Sequence, residues 1–229
     1  MDSFLNPSEW NALLLSALTA SIVAVVSLPP GLFVAWILAR KQFFGKTLLD
    51  TAVHLPLVLP PVVVGYALLE AFGRNSVFGQ VGLDFAFTPI AVVVAGVVMS
   101  FPLLVRSARL AFESVDPSLE AASRTLGQSP AKTFWRVTFP LALPGIASGT
   151  VLCFARALGE FGATITFAGN LEGSTRTLPL LIYTELQTPG GELRIGRLVT
   201  VSIAIALVAM FLSERGAREM RAIRERRGA

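Results

Sequence analysis

Residues Asp116 to Pro140 read DPSLEAASRTLGQSPAKTFWRVTFP, the one long polar segment in the middle of a chain that is otherwise strongly apolar. Asp116 before Pro117 is an N-cap followed by proline at the first helical position, and the residues to Leu126 favour helix until Gly127 supplies a stop. Ser129 and Pro130 repeat that signal, so a second short helix is expected through Phe134 and Trp135 until Pro140 interrupts it. The segment 116–140 is thus a helix, a glycine elbow and another helix, lying on a membrane surface between two apolar spans. Within the first helix Leu119, Ala122 and Leu126 recur at spacings of three and four, and Glu120 and Arg124 stand as an i, i+4 pair of favourable order. One apolar stripe and one charged face suit a groove on another protein.

The chain around this segment is membrane-like. Of 229 residues, 53% are hydrophobic and 15% charged, and the mean hydropathy is +0.66; soluble domains carry about 25% charge. The expected fold class is all-α, a single polytopic transmembrane domain over residues 1–229 with no soluble domain. A net charge of +4 would raise nucleic acid as a partner for a soluble protein. Here the basic residues lie in blocks beside apolar spans, which points to orientation in a bilayer and to no nucleic-acid role. Cys153, the single cysteine, stands in an apolar run and reads as a small buried hydrophobe. The N-terminus MDSFLNPSEW lacks the basic region of a cleavable signal, so the first span is expected to remain.

A crossing needs about 20 apolar residues. Five spans fit: about 12–39, with Pro29, Pro30 and Gly31 expected to kink it; 51–72, whose prolines imply a broken or bent helix; 89–110; 141–168; and 198–212. Residues 170–194 are too polar for an ordinary crossing and suit a re-entrant or surface helix; a sixth crossing there is rejected on charge grounds. The loop 40–50, the segment 106–136 and the tail after Ser213 hold 14 of the 19 basic residues. The positive-inside rule therefore places these in the cytoplasm and the N-terminus outside.

The run Ala121-Ala122-Ser123, then Gly127, then nine residues to Val137-Thr138-Phe139-Pro140 resembles the "EAA, three residues, G, nine residues, I-x-L-P" signature of permease subunits in bacterial ABC importers. Spacing is kept over 20 residues, with the glutamate one place early at Glu120 and with Val and Phe in place of Ile and Leu. The resemblance implies a type I importer permease of the inner (plasma) membrane. Its cytoplasmic coupling helix, carrying Leu119, Glu120, Ala121, Ala122, Arg124, Leu126 and Gly127 and bounded by Pro140, would dock on an ATP-binding subunit. Two partners are open to Glu120: that ATPase, or its own Arg124. The phrases Leu28 to Trp36, His54 to Tyr66, Ala155 to Thr164, Thr175 to Pro179 and Gln187 to Gly191 resemble the molybdate branch, whose neighbours carry sulfate or tungstate. That branch implies a homodimeric permease, two ATPase copies and an external oxyanion-binding protein.

Arg156 and Glu160 stand four apart in an otherwise apolar helix, where charge is expensive and is paired or faces a cavity. They are expected to fix the fourth span near the translocation path or to anchor its end. The path itself is expected at Gly162, Thr164 and Thr166 and at the proline-broken run containing Pro60, Pro61 and Gly65, because broken helices expose backbone groups at membrane depth. Gly45-Lys46-Thr47 ends like a phosphate-binding loop, but the glycine required five residues before Gly45 is Arg40. ATP hydrolysis is therefore expected on a separate chain. His54 is the single histidine and reads as a hydrogen-bonded structural residue, with no metal site. No catalytic constellation and no cofactor is expected. An intramembrane enzyme or a passive channel is the rival class.

Overall fold

The computed structural model describes residues 6–76 and 78–228, with side chains described through residue 211 apart from residue 209. The first helix, α1 (Pro7–Arg40), buries a stripe of small residues that includes Ala20, Ala24, Ser27, Gly31 and Ala35. Small side chains let helix backbones approach where lipid provides no hydrophobic drive for association. Leu18, Val25, Val26 and Phe33 point outward, as a lipid-facing surface requires. Pro29 and Pro30 sit inside α1 without interrupting it; the buried turns on either side hold the helix through two missing donors.

The second span is broken. Helix α2 (Lys46–Val58) and helix α3 (Pro61–Phe72) meet at 114°, because Pro60 and Pro61 deny the donors that would carry α2 onward. Helix α4 (Pro89–Glu113) starts at Thr88, whose hydroxyl accepts from the Ala91 N–H. The polar segment follows as α5 (Pro117–Thr125) and α6 (Pro130–Thr133). Then comes a π turn over Phe134–Thr138 and α7 (Phe139–Leu158).

Two expectations are corrected here. Pro140 does not interrupt the chain; Pro130 to Leu158 is one 29-residue helical run. Pro140 lies in the first turn of α7, and the widened turn before it carries the Phe139 N–H to the Phe134 carbonyl, so the register shifts around the absent donor. The fourth span does not run on to residue 168 either. It stops at Leu158, and a separate short helix, α8 (Gly162–Phe167), follows.

Residues 170–194 contain α9 (Leu178–Leu186), which at nine residues is about 14 Å long and cannot cross a bilayer. The last helix, α10 (Glu192–Gly228), contains the fifth expected span. Three helices are long and apolar enough to cross, or four with the bent pair counted once, among the residues searched. The arginine side chains of the tail, Arg215 to Arg227, and the acidic Asp2 lie outside the described residues.

Helices α1, α4 and α7 pack into one core. Val23, Leu104 and Cys153 meet in one part of it, and Ala35, Leu38, Val105, Phe112 and Ile146 in another. Cys153 is fully buried, as expected. Helices α3, α4 and α8 form a second body around Val64, Ala95, Met99, Ala163 and Phe167. The start of α1 is tied to α9 and α10: Arg197 pairs with buried Glu9 at 2.6 Å, and Ser16 accepts from the Leu178 N–H at 2.7 Å. The other end of α1 meets the polar segment through Arg40 and Glu120. Since α1 is about 50 Å long, these two tied regions lie on opposite sides of the hydrocarbon core.

Candidate functional site

Helix α5 has no buried residue. Leu119 is 46% exposed and Leu126 82%, and Ala121, Ala122 and Arg124 are also exposed, so the expected apolar stripe is present and has no intramolecular cover. Both expected caps form: Asp116 Oδ1 accepts from the Ser118 N–H at 2.8 Å, and Ser129 Oγ accepts from the Lys132 N–H at 3.4 Å. The Ser118 backbone N–H holds the Asp116 carboxyl below its ordinary range. Gly127 adopts φ +81°, the left-handed conformation that turns α5 toward α6, and nothing lies within 4 Å of where a side chain would project. A larger residue there meets backbone strain and no clash.

Glu120 does not pair with Arg124. The guanidinium of Arg124 donates instead to the Glu120 backbone carbonyl at 3.3 Å. The Glu120 carboxylate turns inward: Oε1 accepts from Arg40 Nη2 and from Thr138 Oγ1, each at 2.8 Å. A second stitch, Ser123 Oγ to Thr133 Oγ1 at 3.1 Å, joins α5 to α6. Arg40, Ser123, Thr133 and Thr138 escaped the sequence reading. Arg40 lies 80 positions from Glu120, and no local pattern announces a partner at that distance.

At the expected path, the two helix breaks interlock. A Cβ on Gly65 of α3 would stand 2.7 Å from the Ala163 carbonyl oxygen, and one on Gly162 would stand 2.7 Å from Pro61 Cβ. Pro60 lies exposed at the elbow, Thr164 is buried, and Thr166 Oγ1 donates to the Gly162 carbonyl at 2.9 Å. The structure thus brings Pro61, Gly65, Gly162 and Thr166 together, with their close surfaces committed to packing. Arg156 and Glu160 do pair, at 2.5 Å, with the Glu160 side chain only 2% exposed. They do not share one helix, because α7 ends at Leu158 and the other carboxylate oxygen of Glu160 accepts from the Ala163 N–H at 2.9 Å, opening α8. The carboxylate therefore joins α7 to α8 across the break.

Arg109 joins α4 to α2. It pairs with Asp50 of α2 at 2.9 Å and with Glu113 at 2.8 Å. His54 Nδ1 lies 2.8 Å from the Asp50 carbonyl oxygen, the structural role expected of it.

Residues 31–217 match the family described as the binding-protein-dependent transport system inner membrane component. The chain belongs to this family. It is therefore a multi-pass inner-membrane transport subunit and not an enzyme. The permease is 54% identical over 215 residues to a protein of Escherichia coli K12 named molybdenum transport system permease protein ModB, covering 92% of this chain and 94% of that one. A protein of the same name from Haemophilus influenzae is 49% identical over 90% of this chain and 92% of its own. Among solved structures, a bacterial ABC transporter that imports alginate aligns with TM-score 0.75 at 16% identity, over 94% of this chain and 81% of that one. The inward-facing MetNI methionine ABC transporter aligns with TM-score 0.69 at 18% identity, over 93% and 94%. The fold of the permease is the fold of these importers.

Among the described residues, the surface of the permease includes two open grooves. One, of about 530 Å³, lies beside the α7–α8 break and is lined by Phe161, Ile182, Tyr183 and Ile203 among others. The other, of about 570 Å³, runs between α1 and the π turn and is lined by Phe33, Trp36, Phe134 and Trp135 among others. Neither lining contains a charged side chain.

Proposed function

We propose that this chain is the membrane permease of an ATP-driven molybdate importer. The observation that carries the reading is the 54% identity, spread over 92% of the chain, to the molybdenum permease of Escherichia coli. Permeases named for sulfate transport stand further away, at 34% identity over 90% of the chain for the cysT protein of Chlorokybus atmophyticus, and supply the second reading. In this proposal two copies of the chain enclose the path. An ATP-binding subunit docks on α5, and an external binding protein delivers the oxyanion to the opposite side, where α9 and the start of α1 lie. The N-terminus is outside and the C-terminus cytoplasmic, in agreement with the basic blocks at 40–50 and 106–136.

The test is uptake by proteoliposomes containing the permease, its ATPase and the binding protein. Molybdate accumulates only with ATP, and a hundredfold excess of sulfate leaves accumulation intact. Accumulation of sulfate in preference to molybdate selects the second reading, and accumulation by the permease alone overturns both.

Docking on α5 has its own test. Leu126→Asp replaces the most exposed apolar residue of the stripe with a charge, and removing a buried leucine contact costs about 1.5–3 kcal/mol. Affinity for the ATPase, measured by titration of purified subunits, is expected to fall by at least about tenfold. An unchanged affinity removes α5 from the interface.

A further inference from the structure

The Glu120 carboxylate is the point where four elements of the permease meet. Arg40, the last residue of α1, donates through one nitrogen both to Glu120 Oε1 and, at 3.0 Å, to the backbone carbonyl of Val115, just beyond α4. Thr138, which closes the π turn before α7, donates to the same carboxylate oxygen. Arg40 and Glu120 are 16% and 17% exposed and Thr138 is 2% exposed, so the group is largely shielded from water, where ionic hydrogen bonds are strongest. Helix α5 has no buried side chain of its own to hold its angle. The fastening of α5 to the spans therefore rests on this carboxylate and on the Ser123 to Thr133 bond. The element beside it is a π turn, a geometry less stable than α-helix and able to change register.

We propose that Glu120, Arg40 and Thr138 form an internal latch that transmits movement of α5 to α1 and α7, and that Glu120 is a positioning residue with no direct contact to the ATPase. The inference rests on the docking role proposed for α5. A push on α5 reaches α1 through the guanidinium and α7 through the threonine hydroxyl; with the latch released, α5 swings about Asp116 and Gly127 while the spans stay still. Glu120→Gln keeps size and an acceptor for Thr138 but removes the charge that Arg40 needs.

The experiment uses the assembled complex in proteoliposomes and reads oxyanion transported per ATP hydrolysed, alongside ATPase affinity for the permease. Glu120→Gln is expected to retain ATPase affinity and to lower the transport-to-hydrolysis ratio about tenfold, within the ordinary range of coupling energies. Thr138→Val lowers the ratio without touching the charge pair. The reversed pair Arg40→Glu with Glu120→Arg recovers part of the ratio that either single reversal loses, a readout that general loss of structure would not move. If Glu120→Gln weakens ATPase binding while the ratio stands, Glu120 is a docking contact and the latch is wrong. If ratio and affinity are both unchanged, the latch is equally overturned. Failure of docking itself is distinguished by Leu126→Asp, which tests α5 against the ATPase without altering the latch.

Discussion

Replacement of Glu160 by alanine is expected to be the most damaging single change to the membrane-embedded part of the protein. The Glu160 side chain is 2% exposed, faces Arg156 at 2.5 Å and accepts from the Ala163 N–H that opens α8. Alanine leaves a guanidinium unpaired beside an apolar groove and an orphaned backbone donor at a helix start. Loss of one member of a buried pair costs about 3–5 kcal/mol, which should appear as a markedly lower thermal midpoint of the purified protein in detergent. Glu160→Gln retains an acceptor for Ala163 and should fall between the alanine variant and the parent. The double change Arg156→Met with Glu160→Gln removes both charges and is expected to recover most of the loss. A double variant as unstable as Glu160→Ala would show that the stranded cation is not the source of the damage, since this variant keeps an acceptor for Ala163 and has no cation left to strand.

Gly65→Ala is the second large effect. The added methyl would stand 2.7 Å from the Ala163 carbonyl oxygen, 2.8 Å from the Ala163 Cα and 2.9 Å from Thr166 Cβ. Two of the three obstacles are backbone, so no rotamer change relieves them and α3 must move away from α8. Overpacking of this kind costs about 1–3 kcal/mol, and uptake should fall with it because the bent span loses its fixed partner. Thermal midpoint and uptake measured together check both statements. Removing the Thr166 Cβ in Gly65→Ala with Thr166→Gly is expected to rescue little; full rescue would mean that Thr166, and not the Ala163 backbone, sets the contact. Gly127→Ala is the contrast: it meets nothing within 4 Å and carries only the left-handed backbone penalty, about 1–2 kcal/mol.

The residues of the candidate site divide by how far their determinants reach along the chain. Asp116 and Ser129 could be read as caps because a cap acts on donors two or three residues away, and both do so. Leu119, Ala122 and Leu126 could be read as one stripe because helical period alone puts them together, and their exposure leaves that stripe open for a partner. The break at Pro60 and Pro61 was legible for the same local reason, although not its 114° angle. For Glu120 the sequence left the ATPase and Arg124 open, and the fold supplies Arg40 and Thr138 instead of Arg124. An i, i+4 pair on an exposed helix contributes only about 0.2–0.5 kcal/mol, and a shielded guanidinium with a buried hydroxyl outcompetes it once the fold delivers them. The reading of Pro140 as a stop was overturned by context, since a π turn and the burial of α7 against α1 and α4 carry the helix past the missing donor.

What the sequence by itself determined is therefore the set of apolar spans, their caps and breaks and the polar segment between them; each depends on composition or on neighbours within one helical turn. Only the tertiary structure decided that the two glycine-bearing breaks interlock, that Glu160 bridges α7 to α8, and that Glu120 belongs to Arg40 and Thr138. Those outcomes depend on which helix ends arrive at the same place, and that follows from the packing of small-residue stripes over the whole bundle, a long-range sum that no local pattern in the chain contains.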